Sequence, residues 1–238
     1  MLKIGIAGIC GKMGMRIADL AISDGGIKIA SGLEHAECQS VGKQVKGVVV
    51  TASAEEACQG VECLIDFTLP GPTLEHLEVC RKTGVSMVIG TTGIDTEGEK
   101  KISEAAGEIP IVFSPNMAVG VNLFFKIVRE AARVLGGDFD IKIDETHHIH
   151  KKDSPSGTAK MIAKIVKEAS GKEPPVEAFR EGEVIGNHGI EFDGEYENLQ
   201  IRHDAKSRDV FASGALRAAK FLRGKEPGLY TMADVLGL

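Results

Sequence analysis

The chain has no basic run longer than a pair of lysines, at Lys100-Lys101 and Lys151-Lys152, and its formal net charge is −6. That excludes broad electrostatic capture of nucleic acid or of an acidic membrane surface, so local positive charge must serve something small. No apolar stretch approaches the roughly 20 residues that span a bilayer. The opening MLKIGIAGICGKMG breaks into glycines where a signal peptide needs a continuous apolar segment. No C-x-x-C pair occurs. The five cysteines (Cys10, Cys38, Cys58, Cys63, Cys80) are an odd set confined to the first part of the chain, which fits reduced thiols better than a disulfide framework. Internal repeats and low-complexity segments are also missing. A soluble, cytoplasmic protein is expected, with enough apolar residues among 238 to bury a core in one large or two small domains.

The periodicity predicts a strand over 3–7 and then a helix carried by Met13, Ile17, Leu20 and Ala21. Further strands are expected over 27–33, 48–51, 63–67, 85–89 and 111–113, with helices from Pro72 to Arg81 and from Glu97 to Ala106. Strands alternating with helices argue for a doubly wound parallel sheet, an α/β class of Rossmann type. The rhythm changes after Asn116. A long amphipathic helix (122–135) leads to Phe139, Ile141 and Ile143 alternating with Asp140, Lys142 and Asp144, a strand with one wet face. A helix over 158–169, a Gly-Lys-Glu-Pro-Pro breaker and two or three strands from Val184 to Arg202 complete a smaller α+β domain with a mixed sheet. A helix over 208–223 follows, and the tail is expected to return to the first domain. The division expected is 1–117 for a dinucleotide domain rejoined by 208–238, and 118–207 for a substrate and oligomerisation domain.

Gly8, Gly11 and Gly14 fall at the first strand-to-helix turn, where glycine lets backbone approach a pyrophosphate at the positive end of a helix. Such spacing alone also marks ordinary tight turns. Twenty residues on, Glu34 stands at the end of the second strand, where a dinucleotide fold places a carboxylate for the adenosine ribose. The next residue is His35, so no guanidinium awaits a 2′-phosphate, and NADH or dual use is favoured over strict NADPH. FTLP (67–70) and GTTG (90–93) follow later strands at the same sheet edge, and SPNMAVGVN (114–122) lies at the domain junction.

HHIHKKDSPSGTA (147–159) sets three histidines and two lysines before a Ser-Pro-Ser-Gly-Thr turn. With Ser154 as cap and Pro155 at the first helical position, the N–H groups of Ser156, Gly157 and Thr158 would form a cradle for a carboxylate or phosphate. A small dicarboxylate fits. The histidines alone do not complete a tetrahedral metal site, and no metal is expected.

In order along the chain, GxxGxMG, DFTxP, GTTG, NMAVGVN, the HHIHKKDSPSGTA block and the terminal SRDVFASGALRAAKFLRGKEPGLYTMADVLGL resemble the 4-hydroxy-tetrahydrodipicolinate reductase family, essentially end to end. The resemblance implies His147 as proton donor and acceptor, Lys151 as proton donor, and His148, Gly157 and Thr158 at the substrate, to which the cradle reading adds Ser156. It implies cofactor contacts from Gly8, Ile9, Cys10, Gly11, Lys12, Met13, Glu34, Gly90, Thr91, Thr92, Ser114, Pro115, Asn116 and Met117. It also implies a homotetramer built through the second domain's sheet. Two rivals are another two-domain amino-acid-pathway dehydrogenase, which needs its own catalytic set, and a non-catalytic NAD-sensing regulator, which needs a recognition module.

Overall fold

The computed structural model describes every residue from Met1 to Leu238. The chain divides into two compact units, Met1–Ala118 with Asp209–Gly237, and Val119–Arg208 with Leu238.

The first unit begins β1 (Leu2–Ala7), α1 (Lys12–Ser23), β2 (Ile27–Leu33), β3 (Gln44–Val45), β4 (Val48–Thr51) and α2 (Ala54–Cys58). It continues β5 (Cys63–Asp66), α3 (Pro70–Thr83), β6 (Ser86–Ile89), α4 (Thr96–Ala105) and β7 (Pro110–Phe113). The second unit holds α5 (Val119–Leu135), β8 (Asp140–His147), α6 (Gly157–Ser170), β9 (Val176–Arg180), β10 (Asn187–Asp193) and β11 (Asn198–Asp204). The chain then returns to the first unit as α7 (Asp209–Leu222), β12 (Gly228–Tyr230) and α8 (Met232–Leu236).

In the first unit the strand order is β12-β7-β6-β5-β1-β2-β4-β3, parallel except where β3 runs against β4. The expected doubly wound sheet is present. Its inner strands are apolar on both faces: Ile65 of β5 joins the core beneath α1 and α7, while its neighbour Leu64 joins the core beneath α3 and α4. This is why the strands read as continuous apolar runs rather than alternating ones. Order reverses at β1, which lies between β2 and β5, so the crevice outside the carboxyl end of β1 is the place where such sheets bind ligands. The tail pairs β12 in parallel with β7, and α7 packs on α1, with Arg16 held in a two-pronged bond to Asp209 at 2.6 and 2.7 Å.

In the second unit the sheet order is β11-β10-β8-β9, antiparallel except for the β8–β9 pair. One face packs on α5 and α6 through Phe124, Val128, Ile141, Ile143, Ile162, Ile190 and Phe192. β9 was not expected. Its VEAFR sequence alternates but follows two prolines, and it is a half-exposed strand at the sheet edge, where weak apolar content suffices. Conversely, Val184–Gly186 is loop, and β10 starts only at Asn187. α3 begins at Pro70 rather than Pro72, because both prolines fit a first turn whose N–H groups need no helical partner. No helix is long and apolar enough to cross a membrane.

Candidate active site

At the carboxyl end of β1, Gly8 adopts φ +75, a left-handed turn that suits glycine, and Gly11 closes it by donating to the Gly8 carbonyl at 2.9 Å. A side chain at Gly14 would overlap the Gly8 backbone, so the turn and α1 fit together only as glycine against glycine. No side chain caps α1 at Gly11, and Lys12 beside it is exposed. An uncapped helix N-terminus behind a glycine turn fits a nucleotide pyrophosphate. Glu34 reaches this loop: its Oε1 accepts from the Cys10 N–H at 2.8 Å, which fixes the carboxylate beside the turn. Burial raises the Cys10 thiol's pKa, and Glu34 and Cys38 add to that while a bond to Ser40 opposes it. Ile9 is fully buried against Gly32 and Met117 is buried in the core, so both offer only backbone to a ligand.

The two further loops on this edge are tied together by a residue that sequence reasoning passed over. Asp66 ends β5 with its carboxylate fully buried. Its Oδ1 accepts from the Thr68 N–H at 2.9 Å, from the Thr68 hydroxyl at 2.6 Å and from Thr73 at 3.1 Å, with Thr91 at 3.3 Å, while Oδ2 meets His76 Nδ1 at 2.7 Å. A buried carboxylate persists when its lone pairs are filled in this way. Phe67 lies over Gly90, where a side chain would collide with its ring. Asp66 and the Phe67 ring thus link the Phe67-Thr68 turn to Gly90 and Thr91. Beyond β7, Ser114 Oγ donates to the Asn116 carbonyl at 2.9 Å and Asn116 Oδ1 accepts from the Ala118 N–H at 2.9 Å, shaping the turn that includes Pro115.

In the second unit, the apolar register of β8 that runs through Ile141 and Ile143 continues to Glu145 and His147, which are both buried. Sheet register sets their partners. His188 of β10 lies opposite Glu145, and Arg180 of β9 lies beside His147. Glu145 Oε2 bonds His147 Nδ1, while Oε1 takes the Ser156 N–H at 3.0 Å and Arg180 Nη1 and Nη2 at 3.2 Å each. Desolvation raises the Glu145 pKa, but the bonds from His147, Ser156 and Arg180 outweigh it and leave the carboxyl below its ordinary range. An ionised carboxylate only accepts, so His147 Nδ1 carries the proton. Desolvation lowers the pKa of His147, assisted by Lys151 and Arg180 and opposed by Glu145, so the ring rests neutral with its lone pair on Nε2. That nitrogen faces Gly186, where a Cβ would stand 2.9 Å away.

A turn closed by the Lys151 N–H on the His148 carbonyl at 3.1 Å carries the chain from His147 to Lys151. Lys151 Nζ pairs with Asp153 Oδ1 at 2.9 Å, and Arg180 clamps the same loop by donating to the carbonyls of Lys151 at 3.3 Å and Asp153 at 2.6 Å. His148 is half-buried with Nδ1 lacking a partner, and His150 is exposed. The expected cap at Ser154 is wrong. Ser156 caps α6 by accepting from the Ala159 N–H at 3.2 Å, which moves Pro155 outside the helix. Ser156 therefore supports the site from behind: its N–H is spent on Glu145, and its buried hydroxyl lies 3.3 Å from His188 Nε2. Gly157 and Thr158 form the first turn, and Gly157 opens on free space.

Glu145, His147 and His188 also bring metal-ligand atoms within 4.8 Å of one another. Glu145 is already saturated by four donors from His147, Ser156 and Arg180, so an ion here would have to displace one of them. Glu145, Arg180, Asp153, His188 and Gly186 were all missed from sequence. Only Glu145 had a local signal, a carboxylate in register with Ile141 and Ile143.

Comparison with known proteins shows the family to which the chain belongs. Residues 2–117 match the N-terminal and 120–236 the C-terminal domain of dihydrodipicolinate reductase. The chain is 40% identical to the 4-hydroxy-tetrahydrodipicolinate reductase of Anaeromyxobacter dehalogenans, over 100% of this chain and 98% of the relative. It is 41% identical to the corresponding protein of Dechloromonas aromatica, over 99% and 98%. A dipicolinate-bound dihydrodipicolinate reductase from Paenisporosarcina sp. TG-14 superposes with a TM-score of 0.85 at 25% identity, covering 98% of each chain. The chain belongs to the dihydrodipicolinate reductase family.

Proposed function

We propose that the protein reduces 4-hydroxy-tetrahydrodipicolinate to tetrahydrodipicolinate with NADH or NADPH, in the cytoplasm, as a step toward diaminopimelate and lysine. The observation that carries this reading is the buried Glu145–His147 pair on β8, one turn from Lys151 and the start of α6. It belongs to neither rival: a semialdehyde dehydrogenase of the nucleophilic-cysteine kind needs a thiol here, and a regulator has no use for a desolvated acid–base pair.

The first unit would hold the nucleotide, with the backbone of 8–13 at the pyrophosphate, Glu34 at the ribose, and Gly90, Thr91, Thr92 and the 114–117 turn beyond. A reduced nicotinamide bound there supplies hydride. In the second unit, Gly157, Thr158 and His148 would hold the substrate's carboxylates. Loss of the ring hydroxyl as water leaves a conjugated C=C/C=N system, and one hydride plus one proton reduces it. Lys151 holds that proton on Nζ, with Asp153 keeping the ammonium in place until the intermediate accepts it. Neutral His147 accepts and returns a proton at Nε2, and Glu145 keeps the ring in the required tautomer. The carboxylate of Glu34, followed by His35 where an arginine would be needed to meet a 2′-phosphate, favours NADH or dual use.

The exposed apolar stripe of Leu123, Ile127, Val134 and Leu199 on the second unit supports packing of copies, as in the homotetramer the family resemblance implies. The direct test of function is loss of nicotinamide absorbance on mixing the protein, reduced cofactor and 4-hydroxy-tetrahydrodipicolinate. Turnover that requires all three supports the assignment; a protein that binds NADH but leaves it unoxidised would return the regulator reading.

A further inference from the structure

Beyond β2 the chain turns through Glu34, His35, Ala36, Glu37 and Cys38, and the Cys38 N–H donates to the His35 carbonyl at 2.9 Å. The turn brings a carboxylate oxygen of Glu34, a ring nitrogen of His35 and the thiol of Cys38 within 4.8 Å of one another. Carboxylate, imidazole and thiolate are the three donor types that zinc takes. Bonds of about 2.0–2.3 Å place tetrahedral donors about 3.5 Å apart, so these three need close by only about 1 Å. His35 is exposed and free to swing, while Glu34 is already fixed through Oε1 by the Cys10 N–H. The thiolate and imidazole disfavour magnesium and calcium, which take oxygen sets.

We infer that Glu34, His35 and Cys38 form a site for a thiophilic divalent cation of the zinc class, and that its occupation competes with the nucleotide for Glu34. Binding would release the Cys38 thiol proton to solvent. Nothing in this requires the second unit. The competition, unlike the metal site, rests on the reading of Glu34 as the ribose acceptor.

Cobalt(II) is a suitable probe because a bound thiolate gives it a charge-transfer band that nitrogen and oxygen ligands do not. The full-length, nucleotide-free protein should develop this band on addition of Co²⁺ and lose it to Zn²⁺. Cys38→Ser should abolish the band, and His35→Ala should weaken Co²⁺ binding by about tenfold or more. The Glu145, His147 and His188 cluster contains no sulfur, so it does not contribute to this signal. Absence of the band, or its survival in Cys38→Ser, would overturn the site. NADH added to the cobalt-loaded protein should diminish the band. If NADH binds at undiminished affinity and the band persists, competition is refuted. If Co²⁺ binds as stated but the metal-free protein binds no NADH, the nucleotide reading fails and the metal site stands.

Discussion

At the end of β1 the chain presents backbone: a left-handed glycine, an uncapped helix start, and one carboxylate steadied by a loop N–H. At the end of β8 it presents side chains: a buried carboxylate holding a histidine, an arginine and a serine N–H, with a second histidine opposite. The difference follows from what each must do. A pyrophosphate is a permanent anion that needs aligned donors and close approach, which glycine and a helix terminus provide without titrating. Proton transfer needs groups whose ionisation is set by burial and neighbours, which only side chains supply. One region can therefore be broken by adding a methyl group, and the other by removing a charge.

Turnover should suffer most from changes in the second region. Lys151→Ala should lower kcat by about 10²–10⁴-fold, the usual contribution of a general acid. His147→Ala should lower it as well, and the double variant should lose much less than the product of the two if they serve one proton transfer. Stopped-flow turnover checks this; multiplicative losses would separate their roles.

That contrast also explains what could be read from sequence. The glycine turn, Glu34 and the loops after β5 and β6 were legible because each lies within a few residues of a strand end, and their spacing is local. The HHIHK block was legible as chemistry but not as geometry. Arg180 and His188 reach Glu145 only through the register of three strands, and β9, which carries Arg180, was itself unexpected behind Pro174-Pro175. The cap of α6 was misplaced because Ser154-Pro155 and Ser156 both satisfy a local capping rule. The demand of Glu145 for the Ser156 N–H lies eleven residues away and leaves no local mark.

The backbone region should fail sterically. Gly14→Ala puts a methyl group into the Gly8 carbonyl and should cost about 1–3 kcal/mol of stability, with NADH affinity falling as the turn opens. Gly157→Ala, at a helix start with open space around it, should change stability by no more than about 0.5 kcal/mol. Urea denaturation and NADH titration of the two variants compare them, and equal behaviour would remove the steric argument.

Acid should expose the side-chain region. Desolvation, assisted by His147, depresses the pKa of His188 to about 3. The unfolded chain takes up this proton near 6.5 but the folded chain does not. The stability contributed by keeping the ring neutral is therefore complete above pH 6.5 and is lost as pH falls toward 3. Between pH 7 and 5 this amounts to about 2 kcal/mol. Urea unfolding of the parent should show that loss and His188→Gln should lack it; parallel pH dependences would show that His188 is not held neutral.

A more modest effect concerns the ribose. His35→Arg should raise the ratio of kcat/KM with NADPH to that with NADH by about tenfold, the worth of a modest charge-assisted hydrogen bond to a 2′-phosphate. A ratio that does not move would place the nucleotide's ribose away from Glu34.

Nucleotide affinity and proton transfer should reside in different units made of different materials. Fluorescence titration of NADH into the folded His147→Ala/Lys151→Ala double variant checks this separation. The NADH dissociation constant should be unchanged from the parent protein in a variant that has lost turnover. Loss of NADH binding together with turnover, in a protein whose thermal unfolding is unaltered, would contradict it.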